Sequence, residues 1–103
     1  MKNISRIDLN LFVVFDAIYT EGSITRASEA LTLTQPAVSH ALGRLRALVN
    51  DPLFVRKGHT MAPTPIAREL IDPIRRAIGE IDGSLRQLSA FDPSSSQREF
   101  KIG

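Results

Sequence analysis

Residues 23–49 read SITRASEALTLTQPAVSHALGRLRALV, and the fold is decided in this stretch. Ser23 stands where a helix N-cap belongs, since its side-chain oxygen can accept an amide that the first helical turn leaves unpaired. Ile24, Ala27 and Leu31 follow at helical spacing, and the small residues Ala27, Ser28 and Ala30 allow a close crossing with a neighbour. Thr32-Leu33-Thr34 reads as a turn, and a second helix opens at Thr34-Gln35-Pro36. In it Val38, Leu42, Leu45 and Val49 recur at spacings of four, three and four, giving one core stripe. Two short amphipathic helices joined in this way form a helix-turn-helix.

The opposite face of the second helix carries the functional signal. At about 100° per residue, Pro36, His40, Gly43 and Ala47 point away from the core stripe, with Ser39 and Arg44 on its flanks. This surface is small and polar, whereas an ordinary solvent-facing side carries more Glu and Lys. A face of this kind lets a helix backbone approach the floor of the DNA major groove while a few side chains reach base edges.

On the N-terminal side, Leu9 to Glu21 is nearly apolar all round and suggests a helix packed on more than one side, capped by Asp8 and ended by Gly22. On the C-terminal side, Asn50-Asp51-Pro52 breaks the recognition helix, predicted over residues 35–49. Leu53-Phe54-Val55 is a β-prone run, and Arg56-Lys57-Gly58-His59-Thr60 turns the chain back towards Met61-Ala62. A plain hairpin fits this pattern. Its place directly after a helix-turn-helix favours a two-stranded wing over residues 53–62, whose tip offers Arg56, Lys57 and His59 to phosphates or a minor groove.

Thr64-Pro65 is a strong helix start, a threonine cap followed by a proline whose missing N–H costs nothing at that position. Beyond it Ala67, Ile71, Ile74, Ile78, Ile81, Leu85 and Leu88 alternate spacings of four and three, a heptad seam. The seam argues for coiled-coil-like pairing rather than for a helix lying on a globular core, with residues 71–88 as the dimerisation surface. Pro65 to Leu88 would span ~36 Å, longer than a small three-helix core needs. Pro73 removes one helical bond and disfavours helix at Asp72, and Gly79 and Gly83 weaken the helix further. A long kinked helix is preferred here over two separate ones. Residues 89–97, with Asp92-Pro93-Ser94-Ser95-Ser96, have the composition of a flexible linker. Residues 98–103 alternate like a lone strand, as expected of the stub of a missing second domain. The expected organisation is a winged helix-turn-helix at 1–63, a linker helix at 64–88, a flexible linker at 89–97 and the stub at 98–103.

With 103 residues and 43% apolar content, the chain can hold one modest core, and it is too short for a two-domain enzyme. It has no cysteine, which excludes disulfides and thiolate metal sites. The N-terminus fits neither a signal peptide nor a membrane span, and a cytoplasmic setting is the default. The net charge is only +2, yet Arg26, Arg44, Arg46, Arg56 and Lys57 face only Glu29 and Asp51 between residues 26 and 60. Positive charge therefore sits in the half that would meet phosphates. His40 and His59 have no acidic partner nearby in sequence, and no nucleophile, metal-ligand spacing or phosphate-cradling glycine loop appears, so the sequence does not read as an enzyme. Two further readings remain: a protein-interaction module whose heptad helix binds another chain, and a non-specific nucleic-acid binder.

Taken together, Leu11-Phe12-Val13-Val14-Phe15, Gly22-Ser23-Ile24-Thr25-Arg26-Ala27, Gln35-Pro36-Ala37-Val38-Ser39, Pro52-Leu53-Phe54-Val55-Arg56 and Pro63-Thr64-Pro65 resemble the N-terminal region of LysR-type transcriptional regulators. The resemblance runs from about Asp8 to the end of the chain. It implies a mainly α fold, a winged helix-turn-helix with a three-helix core and a two-stranded wing, followed by a linker helix that pairs antiparallel in a homodimer. It also implies a C-terminal domain, absent from this chain, that senses a small-molecule effector. No cofactor is expected in the chain itself. The DNA partner would be a partly palindromic promoter site, bound by tetramers in the full-length protein. By the same resemblance, Gln35, Pro36 and Ser39 meet the major groove at the opening that begins with Thr34. Ser23 is a phosphate-contacting cap and Arg56 the wing arginine. His40 and His59 stand where many members carry arginine, and Ala67 replaces a common glycine.

Overall fold

The computed structural model describes residues 8–91, in which the elements run α1 (Asn10–Glu21), α2 (Ile24–Leu31), α3 (Gln35–Val49), β1 (Phe54–Lys57), β2 (Thr60–Pro63) and α4 (Pro65–Phe91). This is the mainly helical winged helix-turn-helix that the sequence predicts, with a two-stranded antiparallel sheet as its β part. The local causes are legible at each boundary. The Asn10 amide donates to Asp8 Oδ1 at 3.0 Å, so Asp8 caps α1 from just outside it. Gly22 ends the helix at φ +67°, its amide donating to the Ile18 carbonyl at 2.8 Å. The hydroxyl oxygens of Ser23, Thr34 and Thr64 accept the amides of Arg26, Ala37 and Ala67 at 3.1, 3.2 and 3.2 Å, which caps α2, α3 and α4.

The core is assembled from one stripe of each helix and the base of the wing. Leu11, Val14, Phe15 and Ile18 of α1 meet Ala27 of α2, Val38, Leu42 and Leu45 of α3, and Leu53 and Phe54 at the wing's base. Of the three small residues of α2, Ala27 and Ser28 are buried and Ala30 faces solvent. Ser28 is satisfied locally by donating to the Thr25 carbonyl at 2.7 Å. Phe15, Tyr19 and Phe54 form an aromatic trio, with Phe15 and Phe54 centroids 5.4 Å apart. α1 touches α2, α3, α4 and β2, which accounts for its apolar character on more than one side.

Three expectations need correction. The first concerns the wing, whose strands occupy residues 54–63 rather than 53–62. The register Phe54↔Pro63 to Lys57↔Thr60 leaves only Gly58 and His59 in the turn. Gly58 at φ +61° supplies the positive φ that a two-residue hairpin needs at its first position. Arg56 and Lys57 therefore belong to β1, and strand alternation sends them to opposite faces of the hairpin.

The second concerns the heptad seam, which is divided. Ala67 and Ile71 are buried in the chain's own core at 0% and 5% exposure, and Ile74 packs partly against it. Exposure then rises to 52% at Ile81, 60% at Leu85 and 65% at Leu88. The first turns of α4 follow β2 directly through Thr64, which holds them against α1, so Ile71 cannot serve as a dimer contact.

The third concerns only the end of the linker helix: it is one element through Pro73, as expected, but continues to Phe91 rather than ending at Leu88. Ser89–Phe91, expected in the flexible linker, extend α4 instead. The rest of that linker and the expected stub at 98–103 lie outside the described residues.

Candidate nucleic-acid interface

α3 presents the face that its sequence requires. Val38, Leu42 and Leu45 are at most 2% exposed, while Gln35, Pro36, Ser39, His40, Gly43, Arg44 and Ala47 are all exposed. A β-carbon placed on Gly43 would meet nothing within 4 Å, so the protein's own packing does not require glycine there. The Thr34 hydroxyl is occupied as the cap acceptor and keeps its proton free to donate outward. The same holds for half-buried Ser23, whose oxygen accepts the Arg26 amide. Arg44 lies 4.0 Å from Asp8, at the limit of an ion pair between two half-exposed groups, and remains available to an anion.

The wing is bonded to the helix-turn-helix beside Ser23. The Met61 amide donates to the Gly22 carbonyl at 2.9 Å, and Met61 is the ladder partner of Arg56. Ser23 and Arg56 are thus brought into one region by a backbone bond and one strand pairing. Lys57 and His59 are exposed at the hairpin end. Arg46, counted with the basic residues of the DNA-facing half, is used differently, since its guanidinium donates to the Pro52 and Phe54 carbonyls at 2.7 and 3.1 Å. The sequence pattern held no signal for that partnership. It also gave none for Arg75, which reaches from α4 to Asp16 at 2.7 Å and Thr20 at 2.8 Å on α1.

A second surface lies between α1 and α4. Leu9, Phe12 and Val13 face Ile74, Ala77, Ile78, Ile81 and Leu85 across an open apolar groove of about 480 Å³. Among the described residues no helix is long and apolar enough to cross a membrane.

Residues 9–68 match the family described as bacterial regulatory helix-turn-helix protein, lysR family. The chain belongs to the LysR family. It is a LysR-type helix-turn-helix DNA-binding domain. Nodulation protein D 2 of Bradyrhizobium elkanii is 44% identical over 94% of this chain and 29% of its own length. The transcriptional regulator LeuO of Escherichia coli is 45% identical over 93% of the chain and 30% of its own length. The chain therefore spans about 30% of these LysR-family relatives. Among solved structures, the "probable transcriptional regulator PA0477" of Pseudomonas aeruginosa superposes with a TM-score of 0.80 at 38% identity, over 85% of this chain and 30% of that one. The BenM DNA-binding domain in complex with benA site 1 DNA superposes with a TM-score of 0.75 at 20% identity, over 82% of this chain and 99% of that one, a likeness of fold.

Proposed function

We propose that this LysR-type domain binds double-stranded DNA with sequence preference as a homodimer, each protomer laying the opening of α3 in a major groove. The observation that carries the reading is the exposed, small and polar outer face of α3, set opposite a fully buried stripe on the same helix. Gln35 reads a base edge, with Thr34, Pro36, Ser39 and His40 around it. A glutamine pairs bidentately with adenine, so each half-site contains an A·T pair at that position. Ser23, Arg44, Arg56, Lys57 and His59 contribute phosphate or minor-groove contacts. Because Arg56 and Lys57 sit on opposite faces of β1, they serve different phosphates.

Dimerisation is supported by the groove between α1 and α4 and by the exposed residues Ile81, Leu85 and Leu88. A second copy of α4 supplies an apolar stripe of matching character, and Ile74 and Ile78 line the same groove. In the whole protein we assign a tetramer assembled from two such dimers on a partly palindromic promoter site, in the cytoplasm, controlled by a C-terminal domain that takes a small-molecule effector.

The test is an anisotropy titration against a duplex carrying an A·T-rich dyad and against its scrambled version, each at several salt concentrations. Preference for the dyad that persists as salt rises is the expected result. Equal affinity abolished by salt would leave a non-specific binder. Dimerisation without DNA affinity, for these duplexes and for a random pool, would leave a protein-interaction module.

A further inference from the structure

Arg46 lies in the last turn of the recognition helix, and its guanidinium is turned back onto the chain. Nε donates to the Pro52 carbonyl at 2.7 Å and Nη2 to the Phe54 carbonyl at 3.1 Å. The two carbonyls bracket Leu53, which is held at φ +64°. The Phe54 amide closes a three-residue turn on the Pro52 carbonyl at 2.6 Å, so Leu53 is the centre of a γ-turn of the rare, strained, positive-φ kind. The turn drives Leu53 and Phe54, two consecutive residues, into the core at 1% exposure each. On its other side, Asp51 Oδ2 accepts the Leu53 amide and the Thr64 hydroxyl, both at 2.8 Å. The Thr64 amide in turn donates to the Leu53 carbonyl at 2.9 Å. The end of α3, the base of the wing and the start of α4 therefore meet in one hydrogen-bonded junction.

We infer that Arg46 is a positioning residue for DNA recognition: it fixes the attitude of the wing to the recognition helix, so that wing cations and the opening of α3 engage one duplex together. The inference rests on the DNA-binding reading above. Arginine suits the task because Nε and Nη2 project from one rigid planar edge and can hold two carbonyls at a set separation. A lysine ammonium is a single point at the end of a flexible stem and cannot impose that geometry. The contacts are to neutral carbonyls of the strained turn, so what Arg46 supplies there is direction, which a generic cation does not provide.

The experiment compares Arg46→Ala and Arg46→Lys in the 103-residue chain. Each is made alone and together with the wing pair Arg56→Ala and Lys57→Ala. Affinity is measured for the duplex that the wild-type chain selects from a random pool, with unfolding curves confirming that folded protein is compared. Arg46→Ala is expected to weaken binding about tenfold with the wing cations present, the scale of one charge-assisted hydrogen bond at the wing. It is expected to have almost no effect once those cations are removed, and Arg46→Lys is expected not to restore affinity. Equal losses in both backgrounds, or rescue by lysine, would make Arg46 a direct phosphate contact and overturn the inference. An unchanged affinity of folded Arg46→Ala would overturn it as well. If Arg46→Ala does not fold, Arg46→Lys keeps the stem and the charge and carries the same comparison. If selection returns no preferred duplex, the base-reading proposal fails by itself. The Arg46 comparison then proceeds on a mixed-sequence duplex at low salt, where wing contacts to phosphate still register.

Discussion

Arg75 ties α4 to α1, its Nε 2.7 Å from Asp16 Oδ1, its Nη2 donating to Thr20 Oγ1 at 2.8 Å, and its guanidinium carbon 5.5 Å from the Tyr19 ring centroid. Asp16, Tyr19 and Thr20 share one face of α1 because they are spaced three and four residues from Asp16. Together with the buried Ala67 and Ile71, the Arg75 side chain ties the linker helix to the winged domain. Both partners of the ion pair are well exposed, at 45% and 35%, so the contact does more for geometry than for stability.

Arg75→Ala is accordingly expected to cost only about 1 kcal/mol in urea unfolding, combining a partly exposed ion pair with a surface cation–π contact. Its larger effect falls on spacing. In titrations against dyads whose half-sites are moved apart or together, the variant is expected to discriminate less than the wild type. An unchanged spacing profile would show that Arg75 does not set the angle of α4.

Thr32 sits in the turn between α2 and α3 at φ 57°, a left-handed conformation that a β-branched residue adopts at a cost. Its side chain is exposed. Thr32→Gly removes that strain and is expected to stabilise the domain by about 1 kcal/mol, read as a shift of the denaturant midpoint with an unchanged slope. A lower midpoint would mean that the hydroxyl makes a contact worth more than the strain.

Phe54 anchors the wing to the core, 1% exposed and within 5.4 Å and 6.3 Å, centroid to centroid, of Phe15 and Tyr19. Phe54→Ala is expected to cost about 3–5 kcal/mol, a large share of a small domain's stability. Val55, its exposed neighbour, is the control: Val55→Ala is expected to change stability by less than about 0.5 kcal/mol. Similar losses for the two variants would contradict the burial pattern.

Leu85→Glu places a charge on the exposed part of the α4 seam, away from the chain's own core. Sedimentation equilibrium is expected to show a monomer whose thermal unfolding is independent of protein concentration. A dimer as tight as the wild type's would place the interface elsewhere.

What could be read in the sequence was what local chemistry determines. Ser23, Thr64 and Gly22 mark helix ends because each satisfies orphaned backbone groups within a few residues, and the α3 stripe follows from periodicity alone. The wing's turn is shorter than expected because ladder pairing with Met61 and Thr60 draws Arg56 and Lys57 into β1 despite their turn-like neighbours, and pairing of Phe54 with Pro63 carries the hairpin one residue further. A heptad repeat states that a stripe will be covered but not by which chain, so Ile71 could not be separated from Leu85 without the fold. Leu53 gave no sign of its positive φ, since nothing in a leucine favours it. The conformation is held by hydrogen bonds that Arg46 and Thr64 donate and Asp51 accepts, and Arg75 likewise finds its partners on another helix, where no sequence period points.

The most direct measurement is the base preference of Gln35. Wild type and Gln35→Ala are titrated against the duplex selected by the wild type and against variants in which each base pair of one half-site is changed in turn. Gln35→Ala is expected to lose discrimination at one base pair, by roughly 1–3 kcal/mol, and to keep it at the others. A uniform weakening on every duplex, with the wild-type preferences intact, would contradict the claim that α3 reads base edges through its opening turn.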